Sequence, residues 1–199
     1  MLPSGMAPLD RRLRGGVPPG TLVAFTAPPE TQSELVLEEV ARANESRYVS
    51  TVRAPSAVAE RLPEASVTGT TAEELLASPA EFLDVPDEGC LVVDAVTALE
   101  TTADGEEGAY RAFLDAAAGA AKEVNGVVLL HAHDPEREPP LRWRTLARAD
   151  MTWRLSLVVN PMAVETRLAI TKHRDGAALD EPLKLRLTDH VLVDTSRDI

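Results

Sequence analysis

Three short runs restrict what this chain can fold into: Leu22-Val23-Ala24-Phe25-Thr26, Cys90-Leu91-Val92-Val93 and Val127-Val128-Leu129-Leu130. They are almost continuously apolar rather than alternating, the pattern of strands covered on both faces. Helix-period segments separate them. Residues 31–44 place Leu35, Val36, Val40 and Ala43 on one side, residues 106–124 form a long helix, and 57–61, 72–83 and 141–147 read as shorter ones. A further strand is expected over 47–52. After residue 150 the character changes. Segments 151–159, 166–172, 183–187 and 191–193 alternate apolar and polar residues, as half-exposed antiparallel strands do, with turns at Asn160-Pro161 and Asp175-Gly176. Strand–helix alternation followed by a meander predicts an α/β fold whose central sheet is mostly parallel, with antiparallel C-terminal strands. The 199 residues suit a single domain, with an opening segment 1–20, a core 21–150 and a C-terminal β meander 151–199.

Aromatic residues make up only 4% of the chain, so aliphatic and alanine packing must supply the core. The single cysteine, Cys90, excludes an internal disulfide and reads as a small buried filler. No apolar run approaches the roughly 18 residues of a membrane span. The opening Met-Leu-Pro-Ser-Gly lacks the basic stretch and long apolar run of a secretory signal, so a cytoplasmic protein is expected. The formal charge is −12, and the basic residues are 17 Arg against 3 Lys. An acid-rich, lysine-poor, alanine-rich chain suits a salt-loaded cell, where high ionic strength screens the self-repulsion. In such a setting net charge does not by itself exclude a nucleic-acid partner.

Four stretches, in this order and spacing, resemble the RecA/RadA/KaiC group of P-loop ATPases. The first is Ser4-Gly5-Met6-Ala7-Pro8-Leu9-Asp10 followed by Leu13-Arg14-Gly15-Gly16-Val17-Pro18-Pro19-Gly20. The second is residues 27–34, where the phosphate loop belongs. Leu91-Val92-Val93-Asp94 falls where the strand bearing a magnesium-linked aspartate belongs, and Ile170-Thr171-Lys172-His173-Arg174 is similar to a late Lys-x-Arg strand of KaiC-like domains. The likeness covers nearly the whole chain and is strongest to single-domain KaiC-like proteins of haloarchaea. It implies a RecA-like three-layer fold.

A working phosphate loop reads G-x-x-x-x-G-K-[ST], with glycines that let amides wrap the phosphates, a lysine for the β- and γ-phosphates and a hydroxyl for magnesium. Here Ala27-Pro28-Pro29-Glu30-Thr31-Gln32-Ser33-Glu34 fills the eight positions. Pro28, Pro29 and Thr31 match a Gly-Pro-Pro-Gly-Thr version of the loop. Ala27, Glu30 and Gln32 replace glycines, Ser33 stands at the lysine position and Glu34 at the hydroxyl position. A carboxylate about 4 Å from a phosphate costs roughly 4 kcal/mol at an effective dielectric near 20. Thr31-x-x-Glu34 also fits a capping box, which would occupy the first-turn amides. Asp94 alone remains, as a vestige or a polar strand end. The water-activating glutamate that the family places after the second strand has no counterpart in Tyr48-Val49-Ser50-Thr51-Val52-Arg53. The resemblance therefore implies a vestigial site, with no catalytic residue and no cofactor.

Other constellations carry less. His131 and His133 share one side of an extended chain, but no third ligand sits at metal spacing, so loop-end polar residues are expected and no metal. No Gly-x-Ser-x-Gly elbow supports a hydrolase. Arg142, Arg144 and Arg148, with Arg137 upstream, surround Trp143, a combination able to stack and to meet phosphates. The interspersed Asp134, Glu136, Glu138 and Asp150 favour a solvated or subunit-contact segment over a nucleic-acid surface. Arg11, Arg12 and Arg14 form a second basic spot suited to a neighbouring subunit. The expectation is a non-catalytic pseudo-ATPase acting through a protein partner or self-association, possible regulator of an active paralogue. The alternatives are an atypical ATP-binding protein and an accessory DNA-binding protein of recombination.

Overall fold

The computed structural model describes residues 1–101, 107–161 and 163–194. Its strands are β1 (Thr21–Ala27), β2 (Ser46–Ser50), β3 (Ser66–Gly69), β4 (Cys90–Asp94), β5 (Val127–His133), β6 (Met151–Asn160), β7 (Ala163–His173), β8 (Leu183–Leu187) and β9 (Val191–Asp194). Its helices are α1 (Ala7–Arg12), α2 (Glu34–Arg42), α3 (Pro55–Arg61), α4 (Ala72–Ala77), α5 (Pro79–Phe82), α6 (Thr97–Glu100), α7 (Glu107–Glu123) and α8 (Arg142–Arg148). All nine strands form one sheet, in the order β3-β2-β4-β5-β1-β6-β7-β8-β9. The strands from β3 to β6 run parallel, and β7, β8 and β9 follow as antiparallel neighbours.

The three apolar runs become β1, β4 and β5. Every residue of β1 and β4 is buried, because helices cover both faces. On one face α1, α2 and α3 pack over Val23, Phe25, Tyr48, Val92 and Leu129. On the other, α4 to α8 pack over Leu22, Leu91, Val93, Val128 and Leu130. In α7 the buried stripe of Tyr110, Phe113, Leu114, Ala117, Ala118 and Ala121 follows helical spacing, and its alanines bring the helix close to the sheet. The result is three layers, as the sequence resemblance implies. β1 and β4 lie close together, with β5 between them in register. The opening segment docks through an antiparallel bridge between Leu2 and Val17. Gly16 makes that bridge possible: its φ is +117°, and a Cβ there would lie 2.2 Å from the Leu2 carbonyl oxygen.

Several boundaries differ from the sequence expectation. The helix expected over 31–44 starts only at Glu34, because the Thr31 amide and hydroxyl both turn back to the Pro28 carbonyl. The helix expected over 72–83 is two pieces. Pro79 lacks an amide hydrogen and holds Ser78 outside helical geometry, at φ −138° and ψ 62°. The edge strand β3 and the short helices α1 and α6 escaped the pattern reading; β3 is mostly exposed and lacks apolar alternation. The long helix is found as α7, while Glu106, its expected first residue, lies outside the described residues, as do 195–199 of the expected meander.

Candidate functional site at the strand ends

Parallel strands β1, β4 and β5 end on the same edge of the sheet. Their register sets Asp94, His131 and Phe25 side by side, with Trp153 of β6 next in the row. His131 is therefore not a loop-end residue: β5 continues through His133, and the imidazole is buried. Its Nδ1 lies 2.7 Å from Asp94 Oδ1, and its ring stacks on Phe25 with centroids 5.4 Å apart. The other oxygen of Asp94 accepts from the Tyr48 hydroxyl at 2.6 Å and from Arg53 Nε at 3.2 Å. Arg53 also donates to the Tyr48 oxygen at 2.6 Å. Ser50 anchors the turn that aims Arg53, its hydroxyl accepting from the Arg53 amide and donating to the Arg53 carbonyl, both at 2.9 Å.

A second carboxylate completes the cluster. Glu38 lies on the buried side of α2 and is 0% exposed. It receives Arg53 at 3.1 Å, Arg61 at 2.7 Å and Arg42 at 2.9 Å. Arg53 thus bridges the two buried carboxylates. Burial alone would raise the Asp94 carboxyl, but the His131 contact, the Tyr48 hydroxyl and the Arg53 charge outweigh it and bring Asp94 down to about 2. Burial and the Asp94 charge push the Tyr48 phenol well above its usual range. Arg53 loses by burial but gains more from Tyr48, Asp94 and Glu38, so its guanidinium stays charged. Burial also pushes the Cys90 thiol up to about 12, in keeping with a core role.

Residues 28–33 bridge β1 and α2 on this same edge. The capping box expected of Thr31 and Glu34 does not form, since the Thr31 hydroxyl donates to Pro28 at 2.7 Å and no side chain caps α2. The same Thr-x-x-Glu pattern does cap α4, where Thr71 and Glu74 exchange both bonds. Ala27 and Ser33 are buried, Pro28, Thr31 and Glu34 half-buried, and Pro29, Glu30 and Gln32 exposed. Neither Glu30 nor Glu34 has an ion-pair partner among the described residues.

The basic segments divide. Arg142, expected at the surface, is buried: its guanidinium pairs with Glu100 at 2.8 Å, with Asp134 and with the His133 carbonyl. Glu100 is itself fully buried and is met also by Thr145, so this ion pair ties α8 to α6 and is no contact surface. Trp143 is exposed and carries Arg144 over its ring at 4.3 Å. Arg144 pairs with Glu107, and Arg148 with Asp115 at 2.8 Å. Arg11, Arg12 and Arg14 are all exposed, and Arg12 donates to the Glu181 carbonyl at 3.0 Å. His133 approaches His131 edge-on at 4.5 Å, and burial followed by His131 lowers its pKa. No cluster of metal ligands occurs among the described residues, and none of their helices is long and apolar enough to cross a membrane. Asp94 and the 27–34 loop are the residues expected of a vestigial site; the partners that Asp94 finds in Tyr48, Arg53 and His131, and the link to Glu38, are not expected from the sequence. Glu38 left one legible signal, a charge on the apolar face that holds Leu35 and Val36.

This fold recurs among solved structures. A KaiC-like protein from the hyperthermophilic archaeon Pyrococcus horikoshii is 14% identical with a TM-score of 0.73, covering 96% of this chain and 97% of its own. The RadB recombinase is 19% identical with a TM-score of 0.74, over 95% and 97%. The flagellar accessory protein FlaH of Methanocaldococcus jannaschii is 15% identical with a TM-score of 0.72, over 95% and 96%. At these identities the likeness establishes the RecA-like fold and nothing finer. No curated protein matches the chain. The model of the family of unknown function DUF7125 matches residues 1–199, and the chain belongs to that family.

Proposed function

We propose that this chain is a non-catalytic RecA-fold protein, a pseudo-ATPase that works through protein contacts. One observation carries the reading. Asp94, the carboxylate that in the resembling ATPases faces magnesium, has both oxygens engaged by this chain's own Tyr48, Arg53 and His131. Arg53 sets a fixed positive charge against the Asp94 carboxylate, which a magnesium ion would have to displace, and the guanidinium cannot be deprotonated. The adjoining loop offers Ser33 and Glu34 where a phosphate site needs lysine and hydroxyl. The Asp94 charge is thereby met by this chain's own Arg53. What remains is a rigid shape whose 28–34 loop presents Pro29 and Glu30 outward. Contact with an active relative, or with a copy of itself, uses that shape without nucleotide control. Light scattering in molar KCl, paired with affinity purification at the same salt, tests this with and without Mg-ATP. The same complexes are expected in both. Assembly that appears or dissolves on adding Mg-ATP refutes the proposal.

A further inference from the structure

A pocket of about 310 Å³ lies where the ends of α2 and α3 meet the start of β2. Ala41, Leu62 and Ala65 give it apolar lining, and Arg42, Arg61 and Ser46 bring hydrogen-bond donors to it. Ser46 is only 6% exposed, yet its hydroxyl has no hydrogen-bond partner among the described residues. Leaving a hydroxyl so nearly buried without a partner is unfavourable, and an acceptor seated in the pocket removes the deficit.

The surrounding charge says what that acceptor carries. Glu38 is shared by three guanidinium groups: Arg42 through Nη2 at 2.9 Å, Arg53 through Nη1 at 3.1 Å and Arg61 through Nε at 2.7 Å. Arg42 directs its Nη1 to Glu39 at 3.3 Å, and Arg53 its Nε to Asp94. Arg61 makes no bond besides those to Glu38 among the described residues. Its two terminal nitrogens, the fork that reads phosphate and carboxylate groups, are therefore uncommitted. Asn44 Nδ2 donates to the Val40 and Pro3 carbonyls at 2.8 and 2.9 Å, which blunts the negative end of α2 beside the pocket. Glu64 borders the pocket as an exposed side chain, where solvent and salt screen its charge.

We propose that this pocket binds a small phosphomonoester, its phosphate held by the Arg61 fork, the Arg42 guanidinium and the Ser46 hydroxyl, and its organic body against Ala41, Leu62 and Ala65. Donors from three side chains exceed what the two oxygens of a carboxylate take and suit the three terminal oxygens of a phosphate. The volume stands at the lower end of the roughly 300–1,000 Å³ range of ligand pockets, which suits a small metabolite. The pocket lies at the other end of α2 from the 28–33 loop. Glu38 joins it to the strand-end cluster, because Arg53 bridges Glu38 and Asp94. The inference stands apart from the protein contact proposed above.

Calorimetry with phenyl phosphate, at the lowest KCl concentration at which circular dichroism shows the folded chain, tests the site. The wild type is expected to bind it with a Kd of about 1 mM or lower. Inorganic phosphate leaves the apolar lining empty and benzoate offers only two oxygens, so each should bind at least about tenfold more weakly. Ser46→Ala removes one hydrogen bond to a charged group and should weaken phenyl phosphate binding about tenfold. Arg61→Lys keeps the charge but loses the fork, and should weaken it about as much. Trp143→Ala, on the opposite face of the sheet, should bind as the wild type does. A folded wild type that gives no heat with phenyl phosphate up to about 10 mM overturns the inference. So does binding that Ser46→Ala or Arg61→Lys leaves unchanged, binding that Trp143→Ala abolishes, or inorganic phosphate or benzoate that binds as tightly as phenyl phosphate. None of these results bears on complexes formed with and without Mg-ATP, so the function proposed above is tested separately.

Discussion

Replacing Asp94 with asparagine separates a carboxylate kept for an internal network from one kept for a metal. In the folded chain Asp94 accepts three donors, from Tyr48, Arg53 and His131, and is buried. Its pKa falls from 3.8 to about 2. At 1.36 kcal/mol per unit, the charged form contributes about 2 kcal/mol at neutral pH. Asparagine removes that charge and turns one acceptor into a donor that faces another donor, which adds roughly 1–3 kcal/mol for a buried unpaired group. The expected loss is about 3–5 kcal/mol, or roughly 6–20 °C in melting midpoint for a chain of this size. A carboxylate held for a metal behaves oppositely, since its neutralisation relieves strain in the metal-free protein. Urea unfolding of wild type and Asp94→Asn at pH 7 in molar KCl, with and without magnesium, measures the difference. Arg53→Met should give a comparable loss, and the double variant should lose less than the sum of the two. An unchanged or raised midpoint for Asp94→Asn, or magnesium that stabilises the wild type alone, refutes the reasoning.

Acid should weaken the same network. The folded-state pKa of Asp94 lies below its unfolded value, so its contribution is complete above pH 3.8 and is lost as pH falls through about 2; the gap between wild type and Asp94→Asn in urea midpoint should close across that window. Arg142→Ala leaves Glu100 buried without its partner and should cost about 3–5 kcal/mol by thermal melting, a loss that an exposed contact residue would not give. With a net charge of −12 and 3 lysines, the melting midpoint should climb with KCl from dilute to multimolar concentration, and a flat profile contradicts the salt-adapted reading.

The fold was legible wherever one local pattern decided one element. Short unbroken apolar runs rich in valine and bounded by turn residues read as strands buried on both faces, and β1, β4 and β5 follow. Long-range pairing was not legible. Glu38, Arg53 and Asp94 lie far apart in sequence, and only the parallel register beside α2 joins them. The same Thr-x-x-Glu pattern occurs at Thr31 and Thr71, yet only Thr71 caps a helix. At Thr31 the preceding prolines impose a turn that draws the hydroxyl back to Pro28. Arg142 read as a surface charge because its counterion, Glu100, belongs to a helix too short to show in the pattern.

On the proposed reading, the strand-end site is already filled by Tyr48, Arg53 and His131. Isothermal calorimetry of the wild type with Mg-ATP in molar KCl tests it most directly. No binding heat is expected up to millimolar nucleotide. Saturable binding with a Kd in the low micromolar range would contradict the account.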